Sequence, residues 1–219
     1  KTCAFALPIL QRLAESKAQK RDPNQRRPNK YGRQAKPRVA RALVLCPTRE
    51  LATQIHESFV DYGSHLDLNF TVVYGGVSQY HQTRSIRQGV DVLIATPGRL
   101  KDLYDQGIVD LSHIQTLVLD ESDRMLDMGF ITDIRQIVSL IPKQHQTMLF
   151  SATISKSIRR LADDLLCNPI LIETTPEATT VDTINQRFFK VPQEKKYQLL
   201  SFLIHHESFE RALIFTRTK

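Results

Sequence analysis

Short apolar runs alternate with helical stretches along most of this chain. The runs lie at residues 39–46, 70–75, 90–96, 116–120 and 147–153. Between the first two runs Leu51, Ile55 and Phe59 recur every four residues, which predicts a helix with one apolar face. Buried strands that alternate with helices indicate an α/β fold with a mostly parallel sheet covered by helices on both faces. Ligands of such folds bind beyond the carboxyl ends of the strands.

The pattern changes toward the end of the chain. Residues 173–183 are polar and rich in threonine, and they lack a periodic face, so we interpret them as a linker. A strand pattern resumes at 184–191, followed by a helical pattern and a second strand pattern at 212–215. Residues 184–219 are therefore predicted to be the start of a second α/β domain. Before the linker, Ser155 is predicted to cap a helix whose apolar face begins at Ile158.

The positive charge of the chain is concentrated in one segment. The formal net charge is +7, and residues 17–41 contain ten Lys/Arg but only one acid, Asp22. This segment is rich in Pro, Asn and Gln and has no periodicity, so we predict a basic loop insertion at 17–38. Two roles stay open for it. It is either a solvated linker or an additional, sequence-blind attraction for nucleic-acid phosphates.

Composition excludes several classes of protein. No apolar run approaches the ~20 residues that cross a bilayer, and no signal peptide is visible. Because the sequence starts at Lys1, a targeting segment upstream of it is not excluded. Cys3, Cys46 and Cys167 are far apart and form no CxxC pair, which argues against a disulfide framework or a zinc site. We therefore expect a reducing compartment, the cytoplasm, or the nucleus if the source is eukaryotic.

An acidic cluster follows the apolar run at 116–120. In the stretch VLDESDRML, Asp120, Glu121 and Asp123 come directly after the predicted strand. One interpretation is an acidic first turn of a helix, which the helix dipole favours. The other is a magnesium and water-activating corner of a nucleotide hydrolase. Lys1-Thr2 opens an apolar helix, as the end of a phosphate-binding loop does, but this dipeptide alone is weak support.

Five short stretches together are far more specific than any one of them. They are PTRELATQ at 47–54, GG at 75–76, TPGR at 96–99, DESD at 120–123 and SAT at 151–153. In order and spacing they resemble the DEAD-box family of ATP-dependent RNA helicases, and more narrowly its RhlE-like branch. The resemblance covers essentially the whole chain except the basic segment 17–38.

The resemblance implies a RecA-like P-loop NTPase lobe at 1–172, an interlobe linker at 173–183 and the truncated start of a second RecA-like lobe at 184–219. It implies ATP and Mg²⁺ as cofactors and RNA-stimulated ATP hydrolysis coupled to duplex unwinding or remodelling of RNA–protein complexes. Lys1 would contact the β- and γ-phosphates, while Thr2 and Asp120 would hold Mg²⁺. Glu121 would be the catalytic base.

The same resemblance assigns residues to coupling and to RNA. Asp123 would pair with the hydroxyls of Ser151 and Thr153 and so link the nucleotide site to RNA. The residues implied to contact the RNA backbone, without sequence preference, are Pro47, Thr48, Arg49, Gly75, Gly76, Thr96, Pro97, Gly98 and Arg99. Taken singly, several of these have simpler explanations. Arg49 could pair with Glu50 or Glu57, Gly75-Gly76 could be a turn, and Ser151 and Thr153 could cap a helix.

The sequence departs from the family pattern in two respects. Ser122 stands where the family usually has alanine. The upstream adenine-reading segment, most of the phosphate loop and most of the second lobe with its arginine finger do not occur in these 219 residues. We therefore expect an incomplete fragment that is inactive by itself. Two alternatives stay open: an RNA-docking module without turnover, and a lobe of a related DNA helicase or translocase.

Overall fold

The structure is a computed structural model that describes residues 1–19, 38–173, 185–207 and 209–216. The described residues fall into two compact units, one within Lys1–Pro169 and the other within Ile170–Lys219. Within these residues no helix is both long and apolar enough to span a membrane.

The first unit is built on a five-stranded sheet whose paired strands are all parallel. The strands are β1 (Ala42–Leu45), β2 (Phe70–Val73), β3 (Val92–Ala95), β4 (Thr116–Leu119) and β5 (Gln146–Leu149). Their order across the sheet is β2-β3-β1-β4-β5. Each strand lies within one of the predicted apolar runs or overlaps it, so the predicted parallel α/β sheet is confirmed.

Helices connect the strands. They are α1 (Thr2–Gln19), α2 (Arg49–Tyr62), α3 (Tyr80–Arg87), α4 (Pro97–Asp105), α5 (Ser122–Asp127), α6 (Ile131–Leu140) and α7 (Lys156–Leu165). Ser155 caps α7, because its Oγ accepts a 3.3 Å hydrogen bond from the backbone N–H of Ile158, as predicted. Side-chain oxygens are favoured at this position because the first N–H groups of a helix have no partner within the helix.

Each face of the sheet has its own hydrophobic core. Alternate residues of a strand point to opposite faces, so Leu43 and Val44 of β1 belong to different clusters. On the Leu43 side lie Leu100 of α4 and Ile134 of α6. On the Val44 side lie apolar residues of α1 and α2. The ring centroids of Phe5 in α1 and Phe59 in α2 are 6.3 Å apart. The helices thus cover both faces, as expected.

Arg38 and Arg41 pair with one buried carboxylate, that of Asp91 directly before β3. The buried carboxylate of Asp91 accepts hydrogen bonds from Arg38 (3.1 Å) and Arg41 (2.8 Å) and from the backbone N–H of Asn69 (2.9 Å). The prediction of a loop at 17–38 is wrong at its first three residues, which belong to α1 (Thr2–Gln19). Residues 20–37 of that predicted loop lie outside the described residues.

The second unit contains a short 3₁₀ turn (Gln193–Lys195) and the helix α8 (Lys196–His206). The helix agrees with the apolar spacing of Tyr197, Leu200 and Ile204. The strands predicted at 184–191 and 212–215 are not found among the described residues 185–190 and 209–216. A strand needs a neighbour for its backbone hydrogen bonds, and here Phe188 and Phe215 are 92% and 88% exposed.

Candidate active site and nucleic-acid interface

The order of the strands sorts the predicted site residues into two groups. The segments after β2, β3 and β1 are Gly75–Gly76, 96–99 and 47–49, and these strands are neighbours in the sheet. The segments after β4 and β5 are 120–123 and 151–153, and these two strands are also neighbours. Because parallel strands end at the same edge of a sheet, both groups lie along that edge, the first assigned to RNA and the second to nucleotide and coupling.

Asp120 is a buried carboxylate at the end of β4. It is 3% exposed, and its backbone N–H continues the sheet with a 2.9 Å hydrogen bond to the carbonyl of Leu45. Burial raises the pKa of Asp120, while the hydrogen bond from the Glu121 N–H (3.0 Å to Oδ1) and the positive charge of Lys1 oppose that rise. A carboxylate held in this way gains from any cation that reaches it.

Glu121 has an unusual backbone conformation. Its φ and ψ are both 50°, which is the left-handed region that a residue with a side chain seldom adopts. Such conformations cost about 1–3 kcal/mol and persist where the surroundings impose them. Here the next residue, Ser122, is tied to β5 by a 3.0 Å hydrogen bond from its N–H to the carbonyl of Phe150. The chain therefore turns sharply at Glu121 between β4 and α5.

Glu121 lines a cavity of about 260 Å³. The residues that line this cavity are Lys1, Glu121, Asp123, Arg124, Asp127 and Ala152. The structure thus brings Lys1, Glu121 and Asp123 to one hollow. Asp120 and Thr2 are not among its lining residues: Asp120 is buried, and Thr2 is the half-exposed first residue of α1.

The chemistry of these groups fits a magnesium–nucleotide complex. In the described part of the chain no cluster of three or more His, Cys, Asp or Glu residues could hold a metal by itself. Mg²⁺ does not require one, since it is usually held by one or two carboxylates together with phosphate oxygens and water. Asp120 offers one buried carboxylate of this kind, and the nearby ammonium of Lys1 is not a metal ligand but can attract the phosphate oxygens.

Asp123 connects the ends of β4 and β5. Its Oδ2 accepts hydrogen bonds from Oγ1 (3.0 Å) and from the backbone N–H (3.1 Å) of Thr153. Burial raises the pKa of Asp123, but the hydrogen bonds from Thr153 and from the Arg124 N–H lower it below its ordinary value. The Ser151 hydroxyl itself donates to the Thr153 carbonyl at 2.7 Å. Helix capping does not occupy these two residues, because Ser155 caps α7.

Ser122, the departure from the family pattern, is completely buried. Its hydroxyl donates a 3.2 Å hydrogen bond to the carbonyl of Leu119, the last residue of β4. A buried hydroxyl without a partner would be costly, so this bond explains how serine is accommodated at the position.

Two of the segments assigned to RNA are helix starts. Thr48 caps α2, with its Oγ1 accepting from the Leu51 N–H at 3.3 Å, and Pro97 opens α4 directly after Thr96. The N–H groups of a first helical turn can bind phosphate oxygens. Arg49 is exposed and forms an ion pair with Glu50 at 3.1 Å. This pair is the alternative to RNA binding that the sequence offered for Arg49. Exposed pairs of this kind are weak, so a phosphate can displace Glu50.

The third segment assigned to RNA is the loop after β2. Gly75 and Gly76 are exposed, and apart from the adjoining residues no atom lies within 4 Å of a Cβ placed on either one. Gly76 has a φ of +79°, so this turn favours glycine for its backbone conformation. Arg99 reaches the same loop from α4 and donates a 3.1 Å hydrogen bond to the Val77 carbonyl. The Nη1 of Arg99 is buried without a hydrogen-bond partner.

Sequence reasoning missed two cavity residues, Arg124 and Asp127. Arg124 Nη1 lies 3.5 Å from a carboxylate oxygen of Glu121, three residues earlier. Residues three or four apart on a helix face one another. That spacing from Glu121 was the signal available in the sequence.

Comparison with known proteins gives concordant results. A family model described as DEAD/DEAH box helicase matches residues 1–161. The chain is 40% identical to the ATP-dependent RNA helicase DeaD of Escherichia coli (strain K12) over 100% of its own length and 32% of that protein. It is 44% identical to the ATP-dependent RNA helicase RhlB of Shewanella baltica (strain OS155 / ATCC BAA-1091), over 82% of this chain and 41% of that one. The RhlE-like branch is not specified by these relatives and stays a prediction.

Two solved structures are similar to this one. A hypothetical ATP-dependent RNA helicase from Sulfolobus tokodaii aligns with a TM-score of 0.62 and 36% identity, covering 77% of this chain and 43% of that one. The yeast DEAD-box splicing factor Prp28 aligns with a TM-score of 0.62 and 29% identity, covering 80% and 39% respectively. The sheet is thus the RecA-like sheet of these helicases. By its sequence over residues 1–161, the chain belongs to the DEAD/DEAH box helicase family.

Proposed function

We propose that this protein is an ATP-dependent RNA helicase, in which ATP hydrolysis is stimulated by RNA and coupled to duplex unwinding or to remodelling of RNA–protein complexes. The chain spans about a third of the length of the DeaD relative, so the activity proposed is that of the whole protein. The observation that carries the proposal is the corner at Asp120–Glu121. A buried carboxylate there precedes Glu121, which has a left-handed backbone and lines the same cavity as Lys1.

Each residue of this corner has a distinct proposed task. Mg²⁺, when bound, neutralises charge on the phosphates of ATP. Asp120 and Thr2 are the residues proposed to hold that ion, and Lys1 contacts the β- and γ-phosphates. Glu121 accepts the proton of the attacking water as a general base, for which a carboxylate in an open cavity is suited.

The proposed RNA surface is the group of segments after β1, β2 and β3. It offers helix N-termini at Thr48 and Thr96, exposed glycines at 75–76 and the guanidinium groups of Arg49 and Arg99. Backbone N–H groups and arginines bind phosphates and carry no sequence information by themselves. We therefore propose that RNA is bound through its backbone and without sequence preference.

We also propose the domain division implied by the family: a first RecA-like lobe at 1–172, a linker at 173–183 and the start of a second lobe at 184–219. The proposed compartment is the cytoplasm, or the nucleus if the source is eukaryotic. The three free cysteines, of which Cys46 is buried, support a reducing compartment.

The test is RNA-stimulated phosphate release from the intact protein that carries this chain. Glu121→Gln keeps the size of the side chain but removes its basicity, so turnover should fall by about 10²–10⁴. ATP and RNA binding should stay near those of the unchanged protein. Glu57→Gln, the same substitution at an exposed position of α2, is the control and should leave turnover unchanged. Near-normal turnover of Glu121→Gln would remove Glu121 from the role of base.

A further inference from the structure

The side chain of Gln82 holds the backbone of Tyr74 with two hydrogen bonds. Its Oε1 accepts from the Tyr74 N–H at 3.1 Å, and its Nε2 donates to the Tyr74 carbonyl at 3.1 Å. Tyr74 directly follows β2, which is the edge strand of the sheet. The amide of Gln82 therefore pairs with the end of this strand as the backbone of a neighbouring strand would.

This glutamine is an exception within its helix. Gln82 is 8% exposed, and it is the one buried residue of α3, a helix that the structure describes completely. Ile86 of the same helix is only partly buried against the core. Glutamine is usually exposed, and a buried polar side chain needs both its donor and its acceptor satisfied. Tyr74 satisfies both, so α3 meets β2 through this amide pair.

The segment that follows Tyr74 is the exposed loop with Gly75 and Gly76. Arg99 holds the far side of the loop through its 3.1 Å hydrogen bond to the Val77 carbonyl. Between these two anchors, and apart from the adjoining residues, neither glycine has a neighbour within 4 Å of a Cβ position. The loop is therefore fixed at Tyr74 and at Val77, and its glycines face open space.

We infer that Gln82 is a positioning residue for RNA binding: it holds Tyr74 so that the Gly75–Gly76 loop presents its backbone to the phosphates in one conformation. This inference rests on the proposed function, since it assigns a role within the same RNA surface. Gln82 itself touches no RNA in this scheme. It acts through Tyr74.

The physical reason is the cost of ordering a loop. Ligand binding to a loop with many conformations must fix one of them, and that cost is subtracted from the affinity. Two glycines in succession give a chain more conformational freedom than any other pair of residues. Anchors on both sides reduce that freedom before RNA arrives.

The test compares matched substitutions in α3 of the 219-residue chain. Gln82→Met keeps the length of the side chain and removes both hydrogen bonds. Gln88→Met is the control, because Gln88 is exposed after the last turn of α3 and caps it through its backbone N–H. Gln82→Glu replaces Gln82→Met in the test if the methionine variant does not fold. Glutamate keeps an acceptor for the Tyr74 N–H but places an oxygen against the Tyr74 carbonyl. Gln88→Glu then controls for the added charge.

Two quantities are measured for each variant. One is the amide hydrogen-exchange rate at Tyr74, Gly75 and Gly76 by NMR, and the other is the affinity for a labelled oligouridine strand by fluorescence anisotropy. Gln82→Met should speed exchange at these amides and weaken RNA binding about three- to tenfold, the effect of losing hydrogen bonds of ordinary strength. The Gln88 variants should change neither.

The outcomes separate this inference from the proposed function. If the unchanged chain binds RNA and the Gln82 variants bind equally well, the inference is overturned and the proposed function stands. Unchanged exchange at Tyr74 would also overturn it. If the unchanged chain does not bind oligouridine, the proposed RNA surface fails, and the exchange rates alone decide whether Gln82 orders the loop.

Discussion

Thr153 donates two hydrogen bonds to a single carboxylate oxygen of Asp123, one from its hydroxyl (3.0 Å) and one from its backbone N–H (3.1 Å). The two residues follow β4 and β5 and are thirty positions apart in the sequence. Asp123 also lines the cavity that contains Glu121. These two hydrogen bonds therefore connect the segment after β5 to the wall of the cavity that we propose for the nucleotide.

We predict that Thr153→Val will lower the stimulation of ATP hydrolysis by RNA in the intact protein more than it lowers the basal rate. Valine keeps the shape and the backbone bond and loses the hydroxyl bond. A double-mutant cycle with Asp123→Asn should give a coupling of about 0.5–1 kcal/mol, which is modest because both groups are partly exposed. Ser155→Ala, which removes the cap of α7, should destabilise the protein without altering the ratio of stimulated to basal rate. Additive effects of Thr153→Val and Asp123→Asn would contradict the link.

The lowered pKa of Asp123 predicts the direction in which stability changes with pH. Its carboxylate is favoured in the folded state, so its contribution to stability is complete above the ordinary value of 3.8 and is lost as the pH falls through the lower folded pKa. Near neutral pH this contribution is complete and constant, so thermal denaturation of the chain should not vary with pH through Asp123 there and should do so only in acid.

Asp120 should behave in the opposite way. Burial raises its pKa, so the folded chain keeps this proton to a higher pH than the unfolded chain does. The charged carboxylate consequently lowers stability once the pH exceeds the ordinary value of 3.8, and the whole loss is present above the raised folded pKa. We predict that Asp120→Asn will raise the Tm of the 219-residue chain at pH 7 by a few degrees, as measured by calorimetry.

The same substitution should abolish magnesium-dependent nucleotide binding in the intact protein, since the carboxylate is the proposed ligand. Asp163→Asn, at an exposed position of α7, should change neither quantity. A Tm of Asp120→Asn below that of the unchanged chain would show that the carboxylate stabilises the fold.

Arg49 and Arg99 should differ in their tolerance of lysine. Either arginine changed to alanine should weaken two RNAs of unrelated sequence equally and reduce the salt slope of single-strand binding by ~0.7. Lysine should restore binding at exposed Arg49, where a positive charge is sufficient. It should fail at Arg99, because the Nη2 of its planar guanidinium holds the Val77 carbonyl and an ammonium does not reproduce that geometry. Loss of binding for only one of the RNAs would indicate base recognition.

Ser122→Ala should be tolerated at a small cost. The substitution removes a buried hydroxyl and leaves the Leu119 carbonyl with one bond fewer, so we expect about 1 kcal/mol of lost stability and a Tm lower by about 2–4 °C. Turnover in the intact protein should stay within about threefold, because Ser122 lies beneath the corner and does not line the cavity. A larger loss of turnover with an unchanged Tm would give the hydroxyl a role in the reaction.

The sequence by itself determined the sheet and its covering helices. Apolar periodicity depends on which face of each element is buried, and it located all five strands of the first unit and the start of α7 at Ser155. The same periodicity was misleading at 184–191 and 212–215, where the described residues form no strand. Periodicity reports a side-chain preference, whereas a strand exists only when a neighbouring backbone accepts its hydrogen bonds.

At the site, the sequence identified residue types and their order, and only the tertiary structure decided which atoms meet. The family resemblance implied both Ser151 and Thr153 as partners of Asp123, and the structure shows that Thr153 bonds to it while the Ser151 hydroxyl donates to the Thr153 carbonyl. The left-handed turn at Glu121 depends on how β4 and β5 align. The burial of Gln82 against Tyr74 depends on α3 lying at the open edge of β2. The bond between Asp123 and Thr153 spans thirty positions and the pair of Gln82 with Tyr74 spans eight. In both cases the packing of the helices and strands sets the distance between the two side chains, and apolar periodicity carries no information about it.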